Sequence, residues 1–133
     1  MVIDTSALLA ILLDEPERLV FTVAINQADA RRLSVASFVE ASMVLEARIG
    51  PESAGDLDDF LTHASIDVEP ATVLQGRLAA RAFARFGKGR HPARLNFGDC
   101  FAYALAKEVD EPLLFKGDDF AKTDVERWEP ALE

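Results

Sequence analysis

Val2-Ile3-Asp4-Thr5-Ser6-Ala7-Leu8 decides how the rest of the chain is read. An apolar pair runs into an acid, two hydroxyl residues follow, and a helix-like apolar stretch begins. A buried strand ending this way delivers a carboxylate to the edge of a sheet, where a metal ion or a phosphate can meet it. The same kind of placement recurs at Asp99 and at Asp118-Asp119. Acids far apart in sequence that converge on one edge make a cation site of the type used in phosphate chemistry.

Outward from that segment, strand and helix patterns alternate. Val2 to Asp4 reads as a first strand and Ser6 to Leu13 as an apolar helix; Pro16 opens a second helix to about Ala28. Leu33 to Ala36 reads as a short strand, and Ser37 opens a helix to about Ile49, closed by Gly50-Pro51. Glu52 to His63 is an acidic amphipathic helix with Leu57, Phe60 and Leu61 inward. Ile66 to Glu69 is a third strand. Thr72 to Phe86 is a helix with Arg77, Arg81 and Arg85 four apart on one face. After a loop rich in Gly and Pro, Asn96 caps a helix from Phe97 to about Val109. Pro112 to Phe115 is a fourth strand, and Thr123 to Trp128 a short edge strand. This order predicts one α/β domain over residues 1–133: a mainly parallel sheet of four to five strands, covered by helices on both faces. The working edge of such a sheet lies at the strand C-termini.

Composition narrows the function. With 133 residues, half of them hydrophobic, the chain can bury roughly two-thirds of its unfolded surface. A single cysteine excludes an internal disulfide framework and fits a reducing compartment. The apolar N-terminus carries Asp4 and no basic region, so it reads as a strand rather than a signal peptide. No apolar run approaches the ~20 residues that a spanning helix needs. The formal charge is −9, unfavourable for a nucleic-acid partner until its distribution is considered. From Pro70 to Gly98 there is no acid, and Arg77, Arg81, Arg85, Lys88, Arg90 and Arg94 make that segment +6 on a body of −15. Such a stripe is either a solvated helix face with a basic loop or a local grip for a polyanion.

Each acid has two readings. Asp4 is a sheet-edge ligand or, with Thr5 or Ser6, a cap for the helix that follows. Ser37-Phe38-Val39-Glu40 fits a capping box, yet Glu40 also stands in a first turn facing the active edge. Asp99 stands three residues after Asn96, again box-like, but its helix is almost wholly apolar, and a buried charge must be paired or metal-bound. Asp118 and Asp119 are turn residues beside Gly117, or acids delivered by a buried strand. Like charges raise one another's pKa, so a divalent cation is what lets them stand together. Oxygen donors without a Cys or His cluster suit Mg²⁺ or Mn²⁺ rather than zinc. The chain shows no Walker loop, GxGxxG or nucleophile elbow.

Taken together, Val2-Ile3-Asp4-Thr5-Ser6-Ala7, Ser37-Phe38-Val39-Glu40, Leu95-Asn96-Phe97-Gly98-Asp99-Cys100 with the apolar helix after it, and Leu113-Leu114-Phe115-Lys116-Gly117-Asp118-Asp119-Phe120 followed by Thr123-Asp124 resemble the PIN-domain toxins of the VapC type, from end to end. The resemblance implies a PIN-like three-layer α/β/α fold and a cytoplasmic, Mg²⁺-dependent endoribonuclease. It would be the toxin of a toxin–antitoxin pair, acting on a structured RNA of translation (tRNA or rRNA). It implies neutralisation by a VapB-type antitoxin and a homodimeric state. By position, Asp4, Glu40 and Asp99 carry over as catalytic, metal-binding acids. The fourth is Asp119, directly before Phe120, with Asp118 as the alternative; relatives often place an acid where this chain has Gly117. The basic segment then offers Arg77, Arg81, Arg85, Arg90 and Arg94 as contacts to the RNA backbone. Two rival readings are a receiver-type phosphoacceptor domain, for which Lys116 after a late strand is suitable, and a catalytically silent PIN-like module acting through protein contacts.

Overall fold

The computed structural model describes residues 1–130. Among these, four strands form one sheet: β1 (Val2–Ile3), β2 (Arg32–Ser34), β3 (Asp67–Glu69) and β4 (Leu113–Leu114). All neighbours are parallel, in the order β3-β2-β1-β4. Six α-helices connect them: α1 (Thr5–Leu12), α2 (Arg18–Gln27), α3 (Val35–Arg48), α4 (Ser53–His63), α5 (Val73–Phe86) and α6 (Phe97–Val109). A 3₁₀ turn, Phe120–Lys122, follows β4.

The strands are short, but their alternation divides two cores. Val2 pairs with Leu113 and Ile3 with Leu114, and successive side chains point to opposite faces. Val2, Leu113 and Phe115 pack with Ala82 and Phe86 of α5 and Leu105 of α6. Ile3, Leu33 and Leu114 pack with Leu8, Phe21, Ile25, Leu45 and Leu57, which come from the first four helices. Helices therefore cover both faces, as the α/β, three-layer expectation requires. Strand order reverses at β1, with β2 and β3 added on one side and β4 on the other. Such a reversal opens a crevice beyond the strand C-termini. Asp4 leaves β1, and residues 116–119 leave β4, at that crevice.

Three boundaries differ from the sequence reading, each for a local reason. Helix α3 begins at Val35 and not after Ser37, because the Ser34 hydroxyl caps it by accepting the Ala36 N–H at 3.2 Å. The earlier start turns Ser37, Ala41 and Leu45 inward at four-residue spacing. It also dissolves the Ser37–Glu40 capping box, since Glu40 no longer stands at the third helical position. Helix α2 begins at Arg18 rather than Pro16, after a turn in which Asp14 adopts a left-handed φ of 55°. Residues 123–128 form no edge strand: Arg127 makes one isolated parallel bridge to Leu113 beside the sheet.

Leu33, fully buried on the second strand from β4, tests the packing. Leu33→Ala is expected to lower unfolding stability by about 3 kcal/mol, read as a fall in the urea midpoint at unchanged slope. A loss under about 1 kcal/mol would contradict a closed core at this point.

Candidate active site

Asp4 ends β1 and caps α1, so its two sequence readings describe one geometry. Its Oδ2 accepts the Ser6 N–H at 3.0 Å and the Ser6 hydroxyl at 2.6 Å. The residue is only 4% exposed. Burial pushes its carboxyl above the usual range, the two Ser6 hydrogen bonds pull it back, and the charge of Glu40 adds to the rise. The Ser6 hydroxyl also accepts the Lys116 N–H at 3.0 Å, so one side chain ties Asp4 to the loop after β4. Lys116 Nζ secures the start of that loop to Glu15 at 3.0 Å and Glu17 at 3.1 Å, in the turn between α1 and α2.

Asp99 is also held by the cap of its own helix. Asn96 Oδ1 accepts the Asp99 N–H at 2.9 Å, and Asp99 Oδ2 accepts the Asn96 N–H at 3.0 Å, a complete capping box. The box does not exhaust its role. Burial pushes the Asp99 carboxyl up to about 7; the Asn96 N–H opposes this, and the charges of Asp4, Glu40 and Asp119 reinforce it. Three other acids are thus close enough to be felt by Asp99, and each arrives on a different element. Asp118 and Asp119 are both exposed, and the Asp119 side chain makes no capping bond to the 3₁₀ turn it precedes.

Glu40 reaches the same place across a helix contact. A β-carbon at Gly98 would lie 2.6 Å from Glu40 Oε2, so the carboxylate sits where any larger residue would put its side chain. The glycine conformation is ordinary; what it provides is close approach. Neither Gly98 nor the bridging role of Ser6 was recognised from sequence. Gly98 had a signal: a glycine inside a helix costs about 1 kcal/mol relative to alanine, and the Asn96–Asp99 cap does not need it.

Among the described residues, no three His, Cys, Asp or Glu side chains are already gathered in ion-binding geometry. Asp4, Glu40 and Asp119 are near enough to raise the pKa of Asp99, and drawing the acids closer requires positive charge. The donor set fits a hard divalent cation, with carboxylate oxygens and a cradle at Gly98 for Glu40; Cys100, next to Asp99, is buried and its thiol is pushed up by burial.

Arg77, Arg81, Arg85, Arg90 and Arg94 are all exposed. Arg85 is partly engaged: it pairs at 3.3 Å with Asp124, which also takes Lys107 at 3.3 Å and the Tyr103 hydroxyl at 2.5 Å. Among the described residues the other four make no ion pair. Arg90 lies over the Phe83 ring at 5.3 Å, and Arg94 holds a left-handed φ of 55° where the basic loop turns toward α6.

Comparisons with known proteins bear on the family and the fold. The family model described as "PIN domain" matches residues 1–126. The chain is 49% identical over 128 residues to Ribonuclease VapC28 of Mycobacterium tuberculosis, covering 96% of each chain. It is 48% identical over 125 residues to Ribonuclease VapC of Mycolicibacterium smegmatis, covering 94% of this chain and 97% of that one. Among solved structures, Mycobacterium tuberculosis VapC20, described as a Sarcin-Ricin loop cleaving toxin, superposes with a TM-score of 0.78 at 17% identity, over 97% of this chain and 98% of the other. That last likeness bears on the fold.

The Asp99 carboxyl sets a pH dependence of stability opposite to that of a salt-bridged acid. Between its unfolded value near 3.8 and about 7 in the fold, the folded state holds a proton that the unfolded state has lost. Its contribution is therefore favourable at low pH and is lost as pH rises through about 7. In chelator, Asp99→Asn is expected to raise the melting temperature by several degrees at pH 8 and by clearly less at pH 5. An equal shift at both pH values would contradict the raised carboxyl.

Proposed function

We propose that this chain, which belongs to the PIN-domain family as a VapC-type ribonuclease toxin, hydrolyses phosphodiester bonds of a structured RNA of translation, a tRNA or an rRNA, with Mg²⁺ held by Asp4, Glu40, Asp99 and Asp119. The observation that carries this reading is geometric: Asp4 ends β1 at the crevice where strand order reverses, and the Glu40 carboxylate lies against Gly98, the residue before Asp99. Membership of the family removes the receiver-domain alternative. The donor chemistry favours Mg²⁺, with Mn²⁺ as a substitute. When bound there, such an ion supplies polarisation of a phosphoryl oxygen and a lower pKa for an attacking water.

The protein's own part is alignment and charge. Ser6 and Asn96 fix the Asp4 and Asp99 carboxylates through 2.6–3.0 Å hydrogen bonds, so their orientation is set before substrate arrives. The cluster is strongly anionic and would repel RNA by itself. Arg77, Arg81, Arg90 and Arg94 supply the compensating phosphate contacts, and Arg85 joins them when released from Asp124. Asp119 is favoured over Asp118 as the fourth acid because its charge reaches Asp99.

Partners follow from exposed apolar residues. Leu19, Val20 and Val23 of α2 border a surface depression with Trp128 and Pro130, a seat suited to an apolar segment of a VapB-type antitoxin. Val39 and Met43 of α3 are likewise exposed and suit contact with a second copy in a homodimer. No helix among the described residues is long and apolar enough to cross a membrane. A translation RNA as substrate places the working site in the cytoplasm.

Expression of the chain alone in a bacterium is expected to arrest growth with RNA cleavage. Asp4→Ala, Asp99→Ala and Asp119→Ala abolish both, and Asp118→Ala retains them. Arrest by all variants alike would defeat the acid site and favour a silent, contact-only module; loss in Asp118→Ala with retention in Asp119→Ala would exchange those two residues. Neutralising Arg77, Arg81 and Arg94 together should weaken RNA binding and flatten the log K against log salt slope by about 0.7–0.9 per lost contact. An unchanged slope would remove the arginines from the interface.

A further inference from the structure

Beside the acid cluster, the N-terminal turn of α6 presents an exposed ring, Phe97, on a partly buried one, Phe101, that packs against the core. Phe97 is 77% exposed, although it stands only two residues before Asp99. Its ring meets Phe101 at 5.1 Å, and the two border a groove of about 380 Å³ whose other wall is Gly76, Ala79, Ala80 and Phe83 of α5. The wall is low because three of those four side chains are hydrogen or methyl. Leaving a phenylalanine this exposed forgoes most of its burial free energy, roughly 1.5–3 kcal/mol, so its position calls for a partner.

We propose that Phe97 is a stacking platform for a base of the RNA substrate, and so a determinant of which nucleotides are accepted beside the cut. The proposal rests on the reading of RNA as substrate. The charges around the groove select the occupant. The α5 face next to the groove carries Arg77 and Arg81, and Arg90 covers the Phe83 ring at 5.3 Å. Lys88 and Arg94 stand in the loop that leads into α6, and no acid lies between Pro70 and Gly98. A basic rim around an aromatic floor is the arrangement that holds single-stranded nucleic acid: cations take the phosphates and rings take the bases. A second copy is the rival occupant, but the Pro70 to Gly98 segment it would bring holds no acid to meet these cations. Phe97 and Asp99 point to opposite sides of a helix about 10 Å across with its side chains. The stacked base therefore belongs to a neighbouring nucleotide and not to the phosphate being cleaved.

The test compares Phe97, Phe97→Ala and Phe97→Trp, each in an Asp99→Asn background that prevents cleavage, using labelled single-stranded oligoadenylate as the probe. Phe97→Ala is expected to weaken binding about tenfold with the salt slope unchanged, since no charge is removed. Phe97→Trp should bind within about twofold of the parent, and its new indole emission should be quenched by the RNA. Sedimentation should give one oligomeric state for all three. Unchanged affinity in Phe97→Ala would overturn the proposal while leaving the acid site untouched. So would dissociation of an oligomer with no loss of RNA affinity per chain, which would assign the groove to a second copy. Failure of the chain with Phe97 intact to bind oligoadenylate would overturn this proposal; failure to bind a folded tRNA or rRNA fragment as well would remove the substrate reading with it.

Discussion

Mutual repulsion among carboxylates at the C-terminal edge of the sheet is the constraint on which this structure turns. Asp4 is almost fully buried, and Asp99 is raised to about 7 by burial and by three neighbouring acids. A fold built only for stability would not place charges this way, since an uncompensated buried carboxylate is costly. The surroundings answer with fixed dipoles: two Ser6 hydrogen bonds on Asp4 and the Asn96 N–H on Asp99. These offset part of the penalty and fix the carboxylates, but they leave the cluster short of positive charge. Local devices that elsewhere only end helices here serve a second purpose. Both Asp4 and Asp99 are helix caps, and the cap is what aims the acid.

The long-range electrostatics repeat this division on a larger scale. An acidic body of −15 carries a contiguous +6 segment, folded as the outer face of α5 and the loop into α6. Repulsion from most of the surface and attraction along one strip orient a polyanion before contact. The strip runs into α6, the helix whose first turn carries Asp99, so guidance and chemistry share an element. The Asp124 hub qualifies the pattern by pairing with Arg85, which stays exposed, while it also takes Lys107 and the Tyr103 hydroxyl.

What could be read from sequence was what is local. The strand-to-acid transition at Asp4, the Asn96 cap and the alternation of strands with helices depend on neighbours a few residues apart, and all three appear in the fold. The start of α3 was misplaced because Ser34 and Ser37 are both good caps; which one wins depends on where β2 stops pairing with β3, at Ser34 opposite Glu69. Spacing alone left Glu40 between cap and ligand, and the moved boundary removes the capping box. Contacts between distant segments left almost no trace: the Glu40 carboxylate over Gly98, the Ser6 link to Lys116 and the Arg85–Asp124 pair exist only once the sheet has assembled. The choice between Asp118 and Asp119 was likewise open in the sequence, since adjacent turn residues differ only in direction; both are exposed in the fold.

Anomalous diffraction from crystals soaked in Mn²⁺ tests the central claim most directly. The account predicts density at the β1–β4 crevice with Asp4 and Asp99 oxygens at about 2.0–2.2 Å, and with Asp119 rather than Asp118 on the same ion or one water away. No density there at saturating Mn²⁺, or an ion bound without either Asp4 or Asp99, would contradict it.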